Sequence, residues 1–169
     1  MSRSWWRRNR VALPAMVLAL AGLAWPASEP ARELWWPRGE HVAVSPGGDG
    51  WAALGDVSLR LAAFDRAEEL PDDPVPDGYV AWRAELATDG DGGDPLACSA
   101  QLQDTDGNRY GAGSRHLPSY DDESAGVECG GADEEAGVVY FLLPGGAEPD
   151  VVRVSAFALL PEYWALPVP

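Results

Sequence analysis

The chain has no lysine and no isoleucine, and only two asparagines, two histidines and two cysteines. Lysine, isoleucine and asparagine have AT-rich codons, while alanine, glycine, proline, aspartate and arginine abound, so part of the bias reflects a GC-rich genome rather than physics. The shortages still exclude chemistry. The histidines, His41 and His116, form no paired metal-ligand spacing. Ser114 lies outside any G-x-S-x-G elbow, and no glycine-rich loop leads into a helix to cradle phosphate. A hydrolytic enzyme would need His116 beside a nucleophile, and no motif provides it. The reading is therefore non-catalytic, with no cofactor. No cysteine precedes Cys98, which removes a lipid-modified N-terminal cysteine as an anchor.

Positive charge is scarce beyond the N-terminus. Four of the 12 arginines (Arg3, Arg7, Arg8, Arg10) precede residue 11, whereas all 27 acidic residues follow residue 28. Past the leader, eight arginines face 27 carboxylates, a formal charge of −19. Such a surface repels phosphate backbones, so nucleic acid is not expected as a partner. It also keeps a domain soluble.

Residues 11–27 (VALPAMVLALAGLAWPA) are apolar, led by arginines and flanked by Trp5, Trp6, Trp25, Trp35 and Trp36. That pattern targets a membrane with the basic side inward. At about 1.5 Å per residue the run measures roughly 25 Å as a helix, a little short of a ~30 Å hydrocarbon core. Two outcomes fit: an uncleaved single-pass anchor, or a secretion signal cut near the small residues Ala19–Ala24. The expected organisation is a cytoplasmic basic end (1–10), a transmembrane or signal segment (11–27), a juxtamembrane stalk (28–50) and an extracellular domain (51–169), a size suited to one domain.

Beyond the stalk, with its possible strand near His41–Val44, period-two alternation recurs. Val57, Leu59, Leu61 and Ala63 share one face. Val80, Trp82, Ala84 and Leu86 share another, as do Cys98, Ala100 and Leu102. Short runs follow at Val127–Cys129, GVVYFLLP (137–144) and VVRVSAF (151–157). Between them lie PDDPVPDG, DGDGGDP, DTDGN and PGGAEPD, which carry the Gly, Asp and Pro of turns. Residues 63–70 fit a helical turn or two. The whole predicts an all-β, antiparallel, immunoglobulin-like sandwich.

Cys98 and Cys129 both fall after the leader, each on the apolar side of a predicted strand. In an oxidising compartment they form one structural disulfide; a redox or metal-binding thiol pair lacks a CxxC or a nearby histidine. Two acidic loops raise calcium as an alternative function: Asp89, Asp91 and Asp94, and then Asp104, Asp106 and Asn108. The second departs from an EF-hand, with Arg109 where Gly is needed and Arg115 in the place of the bidentate Glu, and reads otherwise as a hairpin turn joining Leu102 to Tyr110. Asp121, Asp122 and Glu123 read as a solvated face. Trp51, Trp82 and Trp164 read as packing residues rather than a carbohydrate platform.

The WRAEL strand (82–86), the Cys98 strand running into DTDGNRY, Cys129, VVYFLLP and VVRVSAF together resemble a group of small membrane-anchored or secreted proteins of GC-rich Gram-positive bacteria. In that group an immunoglobulin-like domain of unknown function follows one hydrophobic segment. The resemblance implies an envelope protein without assigned catalytic residues. The expected role is an extracytoplasmic binding or accessory module, held at the membrane by residues 11–27 and contacting another envelope protein through loops at the sandwich ends.

Overall fold

The computed structural model describes residues 9–30, 36–71, 73–90, 94–113, 126–130 and 137–169. The chain forms two compact units, Met1–Gly39 and Glu40–Pro169.

The first unit contains helix α1 (Ala12–Ala27). Pro14 sits in its first turn, where an amide proton has no intrahelical partner to lose. At the far end the Ser28 amide and hydroxyl donate to the carbonyls of Ala24 (2.9 Å) and Trp25 (2.8 Å). Apolar side chains are exposed around the helix, among them Met16, Val17, Leu18, Leu20 and Leu23. Its 16 residues rise about 24 Å, fewer than the ~20 residues a bilayer core requires. No helix among the described residues is long and apolar enough to cross a membrane, so the expected transmembrane helix is present only as a shorter apolar one.

Among its described residues the second unit holds ten strands: β1 (Val42–Val44), β2 (Ala52–Leu54), β3 (Val57–Ala67), β4 (Tyr79–Gly90), β5 (Leu96–Asp104), β6 (Arg109–Gly111), β7 (Gly126–Cys129), β8 (Gly137–Pro144), β9 (Pro149–Ala156) and β10 (Glu162–Pro167). They form two sheets. The six-stranded one runs β1-β10-β9-β5, with β6 and β7 pairing successive stretches of β5; the four-stranded one runs β2-β3-β4-β8. All pairings are antiparallel except β1 with β10, which is parallel. The stretch expected as a stalk thus divides, with residues 40–50 belonging to the sandwich unit.

Alternation places the core as the sequence implies. Leu59, Ala84, Leu86, Cys98, Ala100, Leu102, Val139, Phe141, Leu143, Val152, Val154 and Ala156 pack between the sheets around the fully buried Trp164. Each large apolar side chain so buried contributes about 1.5 to 3 kcal/mol.

The β3 reading needs two corrections. The strand runs on to Ala67, so residues 63–67 are extended rather than helical. The register also slips after Leu61: Leu61 opposes Leu86, yet Ala63 opposes Glu85 and Phe64 opposes Ala84. One extra residue reverses the alternation. Phe64, not Ala63, therefore joins the core side, where its ring stacks on Trp82 at 5.1 Å with 9° between planes.

Candidate functional site

Because Val152, Val154 and Ala156 face the core, Arg153 and Ser155 project from the outer face of the six-stranded sheet. Arg153 is nevertheless only 5% exposed. Its guanidinium lies over the Tyr163 ring of β10, 3.8 Å from the centroid. One terminal nitrogen donates to Gln103 Oε1 of β5 (3.0 Å) and to Tyr163 Oη (2.9 Å), and the other donates to Glu40 Oε2 (2.9 Å). Glu40 precedes β1. Its second oxygen accepts from the Ser155 hydroxyl at 2.6 Å, and Arg109 of β6 donates to the first at 3.3 Å. Four strands and the segment before β1 thus meet on one carboxylate and one guanidinium.

Burial pushes the Glu40 carboxyl upward, but hydrogen bonds from Ser155 and Arg153, with the charges of Arg153 and Arg109, hold it below its ordinary value. A carboxylate stabilised in this way stays ionised, and its short contact with Ser155 fixes the direction of that hydroxyl. Arg153 Nε and Gln101 Oε1, on directly paired residues, are buried without hydrogen-bond partners among the described residues. The cluster is built to fasten the segment before β1 onto the sheet. Amides of His41 and Val42 extend that attachment by donating to the Pro161 carbonyl at 2.9 and 3.1 Å.

Cys98 and Cys129 are joined in a disulfide, 31 positions apart in sequence. Cys98 opposes Val127 and Leu96 opposes Cys129, so the two cysteines are diagonal neighbours on β5 and β7. The bond links strands of one sheet, with both residues buried against the core.

The DTDGN stretch is a hairpin turn, with Leu102 opposite Tyr110. The Gly107 amide donates to the Asp104 carbonyl at 3.0 Å, and Gly107 has φ +85°, a conformation that favours glycine. Asp104 is buried and spends its carboxylate on its own loop. Oδ1 accepts from the amides of Asp106 (3.0 Å) and Asn108 (2.8 Å), while Oδ2 accepts from Asn108 Nδ2 and Tyr110 Oη, both at 2.9 Å. The Asn108 side-chain bond, with those from its amide, Tyr110 and Asp106, holds the Asp104 carboxyl below its usual range against the opposing effect of burial. In the proposed calcium set, Asp104 and Asn108 therefore satisfy each other, while Asp106, Asp89 and Asp94 are exposed. Among the described residues no three His, Cys, Asp or Glu side chains are placed to hold a metal ion.

Arg10 is exposed beside α1. Arg3, Arg7, Arg8, Asp91, Ser114, Arg115, His116, Asp121, Asp122 and Glu123 lie outside the described residues. Of the tryptophans, Trp164 is in the core, Trp82 packs against it beneath Phe64, and Trp51 lies under the Arg60 guanidinium at 4.7 Å. Glu40, Tyr163 and Gln103 were not distinguished by their sequence. Arg153 left a trace, as the single charge inside VVRVSAF, but its partner lies 113 positions away.

No family model matches the chain, and no curated protein matches its sequence. Among solved structures, it resembles that of a candidate lipoprotein from Bacillus subtilis (YcdA), with a TM-score of 0.46 and 12% sequence identity over 70% of this chain. The match spans 38% of that protein's length.

Proposed function

We propose that this protein is exported and works at the outer side of the cell envelope as a non-catalytic binding or accessory module, with residues 11–27 as its membrane-targeting segment. The observation that carries the reading is the buried Cys98–Cys129 disulfide, since such bonds persist in oxidising compartments and are rare in a reducing cytosol. The arginine-led apolar run supports the same direction of transport. A 16-residue helix suits a signal core or a short anchor; sizing the mature N-terminus distinguishes them.

The strand order supports an immunoglobulin-like reading of the sandwich. β3-β4-β8 against β10-β9-β5-β6 follows the A-B-E and G-F-C-C′ arrangement of that fold. The disulfide departs from it, since antibody domains bridge the two sheets. A partner would meet the loops at the sandwich ends, as a rigid scaffold presents them.

The test is fractionation of the native host followed by alkylation of free thiols without reduction. Exported protein with both cysteines blocked to alkylation is expected. A cytosolic product with two reactive thiols overturns the reading.

A further inference from the structure

The outer faces of the two sheets differ in chemistry. That of the six-stranded sheet carries Arg153, Gln103, Tyr163 and Ser155, whose polar groups bond to one another and to Glu40. That of the four-stranded sheet is largely apolar, and the register shows how its side chains are laid out. Ala63, Glu85 and Val138 stand in one row across β3, β4 and β8. Asp65, Arg83 and Tyr140 form the next row, and Ala67, Ala81 and Leu142 the third, with Tyr79 opposite Pro144 at the end. Tyr79 and Val138, at opposite ends of this patch, are 46% and 42% exposed.

Charge on the patch is nearly balanced. Arg83 donates to Glu85 at 2.9 Å, which leaves Asp65. Asp65 lies opposite Arg83 in the register, yet it makes no ion pair among the described residues. The patch therefore carries one net negative charge in a region of formal charge −19. Exposed apolar side chains in contiguous rows on a nearly neutral sheet face mark a contact surface. The charge distribution also says which partner fits. A cationic protein is drawn to the acidic surface elsewhere, whereas an equally acidic one is held off by most of the domain but not by this face. A second copy of the chain meets that condition. It also adds symmetry, since on two-fold-related faces the unpaired Asp65 of each copy meets the Arg83 of the other.

We propose that the outer face of β3, β4 and β8 is the interface of a homodimer, in which two four-stranded sheets pack face to face at about 10 Å. Three strands about 4.8 Å apart, over the seven residues 79–85 of β4, make a patch of roughly 14 by 24 Å. Two such patches bury on the order of 1,000 Å², the lower end for a specific interface, so the pair dissociates on dilution. The proposal goes beyond the export reading and does not rest on it.

Photo-crosslinking of the full chain in dodecylmaltoside tests it. The probe p-benzoylphenylalanine replaces Val138, Tyr79 or, as a control on the exposed outer face of the other sheet, Ser99. Irradiation is expected to give a covalent dimer from the first two positions and not from the third, with adducts mapping to residues 63–67, 79–85 or 138–142. In the Val138 probe protein, Asp65→Arg should lower the dimer yield severalfold, and adding Arg83→Asp should restore it. Adducts joining the probe to residues 1–39 of its own chain, or to detergent alone, overturn the proposal. So does an equal dimer yield from Ser99, the result for association through the apolar helix, and so does an Asp65→Arg yield equal to that of the unaltered face.

Discussion

Asp104 and Glu40 are both carboxylates held below their ordinary pKa, and they reach that state by opposite routes. Asp104 takes its four hydrogen bonds from Asp106, Asn108 and Tyr110, all within six positions. Glu40 takes its bonds from Arg109, Arg153 and Ser155, 69 to 115 positions away. The first closes a hairpin through side chains of the turn itself. The second exists only after the sandwich is assembled, and it joins the segment before β1 to a finished sheet. A local network shapes a turn, whereas a nonlocal one reports, and depends on, the complete fold.

The contrast is broken most directly at Arg153. Arg153→Ala leaves Glu40 and Tyr163 without their partner, and breaking a buried pair of this kind typically costs about 3 to 5 kcal/mol, measured by chemical denaturation. Combining Glu40→Gln with Arg153→Met is expected to recover part of that loss, because no uncompensated buried charge remains and Arg109 is half-exposed to water. An Arg153→Ala protein as stable as wild type sinks the clamp.

Next in size is Cys98→Ser. Freeing a loop closed across 31 positions is expected to cost roughly 3 to 4 kcal/mol and to lower the melting temperature. That loss should be nearly independent of pH, unlike those of the two carboxylates.

Asp104→Ala comes third. It leaves the amides of Asp106 and Asn108 without their acceptor and should lower the melting temperature clearly, while Asp106→Ala, at an exposed position of the same turn, should leave it almost unchanged. Equal effects of the two substitutions would count against the cage drawn around Asp104.

Acid provides a further comparison. Both carboxyls are depressed in the folded state, so their stabilisation is present above the unfolded values of about 4 and is lost as pH falls through the lower folded ones. Glu40→Gln should flatten part of the decline in stability below about pH 4, and Asp104→Asn another part. An acid-denaturation profile identical in wild type and both variants contradicts the assignment. The smallest effect is expected at Arg109, half-exposed at the rim of the Glu40 cluster, where Arg109→Ala should cost about 0.2 to 1 kcal/mol and less at high salt.

Much of the fold was legible because it is written in neighbours. Trp82, Ala84 and Leu86 on one face of β4, and Cys98, Ala100 and Leu102 on one face of β5, follow from a period of two. The DTDGN hairpin follows from its turn residues. Of the candidate site little could be read. Arg153 stands out in an apolar strand, but an ordinary solvated outer-face arginine looks the same in sequence. The hydrogen bonds around Asp104 were hidden for a related reason: spacing shows which oxygens are near one another, not which donors bond to them.

The sequence by itself determined the apolar leader, the acidic surface, the alternating strands and the chemistry of a lone cysteine pair, since each depends on composition or on residues a few positions apart. Tertiary structure decided which strands meet. The slip that puts Phe64 rather than Ala63 against Trp82, the parallel pairing of β1 with β10, and the joining of Glu40 to Arg153 all arise from contacts between distant segments. Such contacts are set by how whole sheets pack, and pairing energies between distant segments leave no local pattern to read.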